Sequence, residues 1–412
     1  MKVFVKTFGC RVNQVETQAV LEKILSSGHS VCDDYLEADV CIVNTCTVTA
    51  RADSDCARFL RQASSRNPKA RILVTGCYAQ LNPEKILSCA PAAELVSNAR
   101  KQDIPLLLGA AESAADWRVS GLHGRTRAFV KIQDGCDRFC AYCAVPLARP
   151  GKYSKPLESA LSEIRGLAAS GTREIVLAGI NIGEYRCPGT GSTLARLLEQ
   201  AAAIEGDFRL RLSSVEAFSF TPALLDAAAS AGPKFCRYFH IPLQTGSTSL
   251  ALDMNRKCAP EDFARAVEMA RLRFPAVSVF SDVIAGYPSE SEAQFRETAE
   301  FIKSMGLSGL HVFSYSSRPG TAAAKLKPLA PAVVKARARE LRALDKSLRD
   351  ALSLSMVGTR QRVLIEEGSR PLSGLAENFQ RVCLSGGGNK RGFTQAEIIA
   401  AADGLCQGRI IS

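Results

Sequence analysis

Apolar runs rich in valine and isoleucine open the chain at residues 2–8, 39–44 and 71–75, each separated from the next by a stretch long enough for a helix. That spacing predicts βαβ units whose strands return parallel to one another. The rhythm resumes at 128–133, 174–178, 209–213, 237–241, 277–284 and 310–315. Six strands alternating with helices predict an open, partial (β/α)6 barrel, which collects reactive groups at the C-terminal ends of its strands. Beyond Pro331 the period changes: a long helix over 332–354 leads into short runs at 360–366, 379–384 and 396–401 with glycine-rich turns, the pattern of a small β-barrel. The expected fold class is therefore α/β, with an N-terminal parallel-sheet domain (1–125), a central barrel (126–330), a linking helix (331–355) and a C-terminal β-barrel (356–412). Residues 103–125, alanine-rich and then rich in glycine and arginine, read as a connector around the single tryptophan, Trp117.

Charge narrows the class of partner. Lys plus Arg number 52 against 41 Asp plus Glu, a formal +11, which favours a polyanionic partner. No apolar run approaches the roughly 18 to 20 uncharged residues of a membrane span, and the first strand-like stretch carries two lysines and no cleavage site, so a cytoplasmic protein with no membrane partner is expected. Fifteen cysteines in 412 residues are too sparse for a secreted disulfide scaffold, and metal or redox work is the favoured explanation.

Six of these cysteines stand out. Cys136, Cys140 and Cys143 lie in Gly135-Cys-Asp-Arg-Phe-Cys-Ala-Tyr-Cys143, directly after the first strand of the barrel series. Three thiolates in one short loop can ligate three irons of a cubane and leave the fourth open for a chelating substrate such as S-adenosylmethionine (SAM). Structural zinc is the competing reading, but it prefers paired two-residue spacings and four ligands. Cys10, Cys46 and Cys77 each follow a predicted strand by a few residues, 36 and 31 positions apart, about the length of one βαβ unit. Parallel strands so connected end at one edge of a sheet, where the three thiols would meet. Gly9 and Gly76 would let the backbone turn beside a bulky ligand, and Asn44 and Thr45 offer donors to its sulfurs. Isolated core cysteines are the alternative, and that is the reading for the remaining nine.

The order Cys-x3-Cys-x2-Cys, with Tyr142 before the last cysteine, matches the radical-SAM signature, in which that aromatic packs near the adenine of SAM. Together the two triads resemble those of the radical-SAM methylthiotransferases. Leu177-Ala-Gly-Ile-Asn-Ile-Gly-Glu-Tyr185, Arg211-Leu-Ser-Ser-Val-Glu216, His240-Ile-Pro-Leu-Gln-Thr-Gly-Ser247, Met254-Asn-Arg-Lys257 and Asp282-Val-Ile-Ala-Gly-Tyr-Pro288 look like family motifs. The resemblance implies two 4Fe–4S clusters, an auxiliary one on Cys10, Cys46 and Cys77 and a catalytic, SAM-cleaving one on Cys136, Cys140 and Cys143. It also implies a C-terminal TRAM domain that binds RNA. Thr7-Phe-Gly-Cys-Arg-Val-Asn-Gln14 and Asn44-Thr-Cys-Thr-Val-Thr49 look like the branch acting on N6-threonylcarbamoyladenosine next to the tRNA anticodon. The isopentenyladenosine branch typically has Gln-Met-Asn after the first cysteine, and the ribosomal-protein branch has Pro-Lys. One departure stands out: Ala148-Arg149-Pro150-Gly151 replaces the usual Ala-Arg-Gly and is followed by Lys152-Tyr-Ser-Lys155.

What such a family does explains why a radical is needed. The C2–H bond of adenine has no useful acidity, so general bases and nucleophiles cannot open it. The resemblance implies reductive cleavage of SAM, hydrogen abstraction, sulfur from the auxiliary cluster and methyl from a second SAM. Expected partners are the tRNA anticodon stem-loop and an electron donor such as a flavodoxin or ferredoxin. Tyr142, Asn181, Ser213, Glu216, Gln244, Ser247 and Asp282 are expected to contact SAM or substrate, turn and cap roles being the alternative. His240 reads as a satisfied core histidine, and Asp134 and Asp137 as loop caps. Lys335, Arg339, Arg342, Lys346 and Arg349 share one helix face and, with Arg360, Arg362, Arg381, Lys390, Arg391, Phe379 and Phe393, are candidate RNA contacts. Methylthiolation of isopentenyladenosine or of a ribosomal protein is the alternative reaction; an RNA-binding iron–sulfur electron-transfer or sensor protein is the alternative class.

Overall fold

The computed structural model describes residues 1–114, 117–120, 126–366, 371–386 and 392–411. The expected boundary near 125 lies outside the described residues. In the N-terminal part, strands β1 (Lys2–Thr7), β2 (Ser30–Val31), β3 (Val40–Thr45), β4 (Arg71–Gly76) and β5 (Glu94–Leu95) form one sheet in the order β2-β1-β3-β4-β5. Every pair is parallel. The central strand β3 is buried on both faces: Val40 and Ile42 pack with Val15, Ala19 and Val20 of helix α1 (Arg11–Ser26), whereas Cys41 and Val43 pack with Cys56 and Leu60 of helix α2 (Ala50–Arg66). A parallel strand covered by helices on both sides reads as a continuous apolar run, which is why the sequence reveals it. The short edge strands β2 and β5 lack that signal.

The six-strand series of the second part is present, but in two leaves. Strands β6 (Arg127–Lys131), β9 (Glu174–Ala178) and β10 (Arg209–Leu212) pair as β10-β9-β6, and β11 (Tyr238–His240), β12 (Ser278–Ala285) and β13 (Gly309–Ser314) as β11-β12-β13. The leaves are joined by the isolated bridge of Leu210 to Phe235 and by the Val215 N–H, which donates to the His240 carbonyl (2.9 Å). Between β6 and β9 a small hairpin of β7 (Gln133–Asp134) and β8 (Tyr153–Ser154), missed in the sequence, frames the cysteine loop.

The long helix Pro331–Ser355 lays Leu341, Leu344 and Leu348 on the barrel core and leads to a closed five-stranded barrel. Its strands β14 (Arg360–Ile365), β15 (Ser373–Leu375), β16 (Arg381–Ser385), β17 (Gly392–Ala402) and β18 (Leu405–Ile411) include two more than the three expected. Phe379 is not in a strand; it sits in the preceding turn at φ 69°. This barrel seats against the starts of β6, β9 and β10 through buried charge. Glu174, fully buried, pairs with Arg209 (2.7 Å), Arg127 (2.9 Å) and Arg211, and Arg127 reaches on to Glu366 (2.8 Å). Burial raises the Glu174 carboxyl, but the three guanidiniums outweigh it and bring it down to about 2.

Candidate active site

Register places the first three cysteines. Thr7 lies opposite Asn44, and Asn44 opposite Thr75, so the chain leaves β1, β3 and β4 at one level of one sheet edge. Cys10 then caps α1, Cys46 follows β3 directly, and Cys77 opens helix α3 (Cys77–Leu81). Both glycines are required where they stand. Gly9 has φ 94°, and a Cβ there would lie 2.4 Å from the Cys46 Cβ; Gly76 has φ 98°, and a Cβ would lie 2.2 Å from the Thr45 carbonyl oxygen. Asn44 and Thr45 do not keep donors for sulfur. The Asn44 amide donates to the Asn13 carbonyl and to Thr17 Oγ1, and the Thr45 hydroxyl donates to the Thr75 carbonyl (2.6 Å), so both pin loop to loop.

The second triad is held from the opposite direction. Ala141 N–H donates to the Met254 carbonyl (2.8 Å), Asn255 Nδ2 to the Phe139 carbonyl (2.9 Å), and the Ala141 carbonyl accepts from Ala323 N–H (2.8 Å). Asp134 accepts from Gly135 N–H (2.8 Å), the cap its position foretold, while Asp137 pairs with Lys152 (2.7 Å). Among the described residues, the one set of three His, Cys, Asp or Glu donor atoms all within 4.8 Å of each other is His240, Asp282 and His311. Neither cysteine triad is among such sets, so the thiols of each are not drawn together around one ion. Burial pushes the Cys46 thiol up to about 11 and Cys143 up to about 12. Thiols so raised are protonated at neutral pH, and any metal they took would have to displace that proton.

One cavity of about 210 Å³ joins the two triads, lined by Cys77 from one and Cys143 from the other. Tyr142, Gln244 and Asp282 line it too, with Thr47, Phe313, Tyr315 and Arg318. Gln244 takes a left-handed turn (φ 73°) bridged to β12. At the ends of β9 and β10 the buried Asn181 amide and the Ser213 hydroxyl have no protein partner. Neither residue lines the cavity, and an orphaned buried polar group is costly unless a ligand or water satisfies it.

Glu216 and Ser247 sit differently. The Glu216 carboxylate is held by Arg256 through two bonds (3.0 and 2.7 Å), and the Ser247 hydroxyl is engaged by Glu297 and Ser249; neither residue lines the cavity. His240 is satisfied, by Ser214 (2.7 Å) and Asp282 (3.0 Å). It is more than core filling, because His311 stacks on it and also bonds Asp282 (3.2 Å). Burial raises the Asp282 carboxyl, but the two imidazoles outweigh it and hold it well below the usual carboxylate range.

The expected RNA contacts divide. Lys335, Arg339 and Arg342 are exposed, whereas Lys346 pairs with Asp350 (3.1 Å) and Asp403 (3.0 Å), and Arg349 folds onto Asp345 (2.7 Å). Phe379 lies 4.1 Å from the guanidinium of Arg211 on β10 and Phe393 3.6 Å from that of Arg362 within the C-terminal barrel, so both rings are covered by arginines. Arg381 pairs with Glu366 (2.5 Å), and Lys390 and Arg391 lie outside the described residues. Sequence reasoning missed His311, Arg318 and Glu16. His311 and Arg318 carry no local signature, and Glu16 reads as an ordinary polar residue of a helix.

A split parallel barrel with a three-cysteine loop after its first strand, beside a cavity at its strand ends, is the arrangement of a radical-SAM enzyme. Residues 130–302 match the Radical SAM superfamily, and residues 2–98 match Uncharacterized protein family UPF0004. The fold resembles the radical SAM methyltransferase TsrM from Kitasatospora setae, solved with cobalamin and a [4Fe-4S] cluster bound (TM-score 0.60, 16% identity, 78% of this chain and 76% of that one). Among curated proteins, the chain is 37% identical to the threonylcarbamoyladenosine tRNA methylthiotransferase MtaB of Chlamydia pneumoniae, over 87% of this chain and 85% of that one. It is 34% identical to a tRNA-2-methylthio-N(6)-dimethylallyladenosine synthase of Cereibacter sphaeroides, over 90% and 88%. The chain belongs to the radical-SAM methylthiotransferase family, and SAM and 4Fe–4S clusters are the cofactors of that chemistry.

Proposed function

We propose that this enzyme converts N6-threonylcarbamoyladenosine next to the tRNA anticodon into its 2-methylthio derivative. The observation that carries the reading is the single cavity with Cys77 on one wall and Cys143 on another, which lets a base entering it face both triads. In this reading Cys136, Cys140 and Cys143 hold the SAM-cleaving cluster and Cys10, Cys46 and Cys77 the auxiliary one. Bound there, the clusters and SAM supply the electron, radical, sulfur and methyl group that no side chain can. The protein's own groups do the rest. Tyr142 packs beside the cavity, Asn181 and Ser213 offer their free polar atoms, and Gln244 and Asp282 present polar groups to the base.

The choice of substrate rests on Thr7-Phe-Gly-Cys-Arg-Val-Asn and Asn44-Thr-Cys-Thr-Val-Thr, and on the threonylcarbamoyladenosine specificity for which the Chlamydia pneumoniae relative is named. The exposed Lys335, Arg339 and Arg342 supply phosphate contacts, the C-terminal barrel acts as a TRAM-type RNA-binding module, and a cytoplasmic flavodoxin or ferredoxin is the reductant. No described helix is long and apolar enough to cross a membrane. The test is anaerobic turnover of two anticodon stem-loops, one carrying the threonylcarbamoyl and one the dimethylallyl group, read by nucleoside mass spectrometry. Product from the first alone is expected; product from the second alone would reassign the substrate.

A further inference from the structure

Between the two cysteine sites lies a buried ionic network that the proposed chemistry does not use. Glu16, on α1 six residues beyond Cys10, is 1% exposed and meets Lys101 (2.6 Å), Lys131 (2.6 Å) and both terminal nitrogens of Arg149 (2.8 and 3.0 Å). Asp134 closes it, bonding Lys131 (2.6 Å) and Arg149 (2.7 Å). Arg149 also donates to Asn13 Oδ1 (2.7 Å), and the Asn13 amide donates to the Phe8 and Thr45 carbonyls, the strand exits that lead to Cys10 and Cys46. Pro150 and Gly151, the departure seen in the sequence, turn the chain so that the Gly151 carbonyl abuts Gly135, where a Cβ would lie 1.7 Å from its oxygen. The turn keeps Arg149 inward.

The charges do not balance. Three cations, Lys101, Lys131 and Arg149, face two carboxylates, Glu16 and Asp134, and among the described residues no third carboxylate pairs with them. Arg149 Nε is buried with no partner at all. An uncompensated interior charge is costly enough that an anion should answer it. Asn13 gives the direction in which that anion lies: it accepts from Arg149 and donates to the Phe8 and Thr45 carbonyls, beside Cys10 and Cys46.

We propose that this network is the electrostatic seat of the auxiliary cluster, its surplus positive charge and free Arg149 N–H stabilising the reduced, more anionic state and so raising the cluster's reduction potential. The proposal rests on the reading that Cys10, Cys46 and Cys77 hold a 4Fe–4S cluster. A cubane with three thiolates is an anion and gains a further negative charge on reduction, so a nearby fixed cation favours the reduced form. Because Arg149 comes from the segment after Cys143 whereas the thiols come from the N-terminal sheet, the auxiliary site is electrostatically complete only when the two parts are joined.

The experiment is an EPR-monitored redox titration of the full chain carrying Cys136→Ala, Cys140→Ala and Cys143→Ala, which leaves only the auxiliary cluster, with iron analysis of every variant. In that background Arg149→Met should lower the midpoint potential and Glu16→Gln should raise it, while Arg149→Lys, which keeps the charge, should stay near the parent. Opposite signs are the mark of electrostatic tuning; a purely structural role would move both substitutions the same way or neither. If Arg149→Met sheds its iron, Glu16→Gln and Arg149→Lys still decide. Unmoved or like-signed midpoints in iron-loaded protein would overturn the proposal. A parent protein without iron would overturn the auxiliary-site reading beneath it.

Discussion

The two cysteine triads reach one cavity by opposite routes. Cys136, Cys140 and Cys143 share a single loop, and their spacing is local, set by eight consecutive residues and pinned by Met254, Asn255 and Ala323. Cys10, Cys46 and Cys77 come from three strand exits spread over the N-terminal sheet, so their meeting depends on the register of β1, β3 and β4. A loop site tolerates change in the sheets behind it; a strand-exit site inherits every defect of its sheet. That difference orders the expected effects of substitution.

The largest effect falls on metal content. Reconstituted protein should hold about eight irons, and replacing all three cysteines of either triad by alanine should leave about four, by iron and sulfide analysis. Gly76→Ala sharpens the contrast. Its positive φ and the close Thr45 carbonyl make any Cβ a defect of the sheet edge, so the variant should lose auxiliary iron while the loop cluster keeps its EPR signal.

Glu174 provides a smaller, pH-dependent effect away from both triads. Its folded carboxyl sits at about 2 against an ordinary 4.5, so its contribution is whole above pH 4.5 and is lost as pH falls through 2. The shift corresponds to stability on the order of 3 kcal/mol. Urea unfolding of the apo protein should therefore weaken across that window, and Glu174→Gln should be less stable at neutral pH with a flatter acid limb. Smallest of all, Lys335→Glu, Arg339→Glu and Arg342→Glu should each weaken tRNA binding modestly and lower the salt slope by roughly one. Lys346→Glu, whose partners are Asp350 and Asp403, should change the slope less. Filter binding across a salt series checks both.

Both triads stand out in the sequence because their signals are recurrent or contiguous: thiols about one βαβ unit apart after apolar runs, and a short cysteine loop. The main strands of the parallel N-terminal sheet and of the two parallel leaves were legible for the same reason. The ionic contacts between parts were not. Glu16 and Arg149 are separated by 133 positions, and nothing near either residue announces the other. Phe379 and Phe393 looked available for stacking on bases because the sequence does not show that Arg211 and Arg362 already occupy their faces. The same holds for His311, whose meaning comes from Asp282 on the neighbouring strand.

The most direct test of two triads serving one cavity measures 5′-deoxyadenosine and methylthio nucleoside in the same anaerobic reaction for Cys140→Ala and Cys77→Ala. Cys140→Ala should make neither product. Cys77→Ala should still cleave SAM and form deoxyadenosine but make no methylthio nucleoside. Methylthio product from Cys77→Ala at near the parent rate would contradict the account, because the strand-exit triad would then have no part in delivering sulfur.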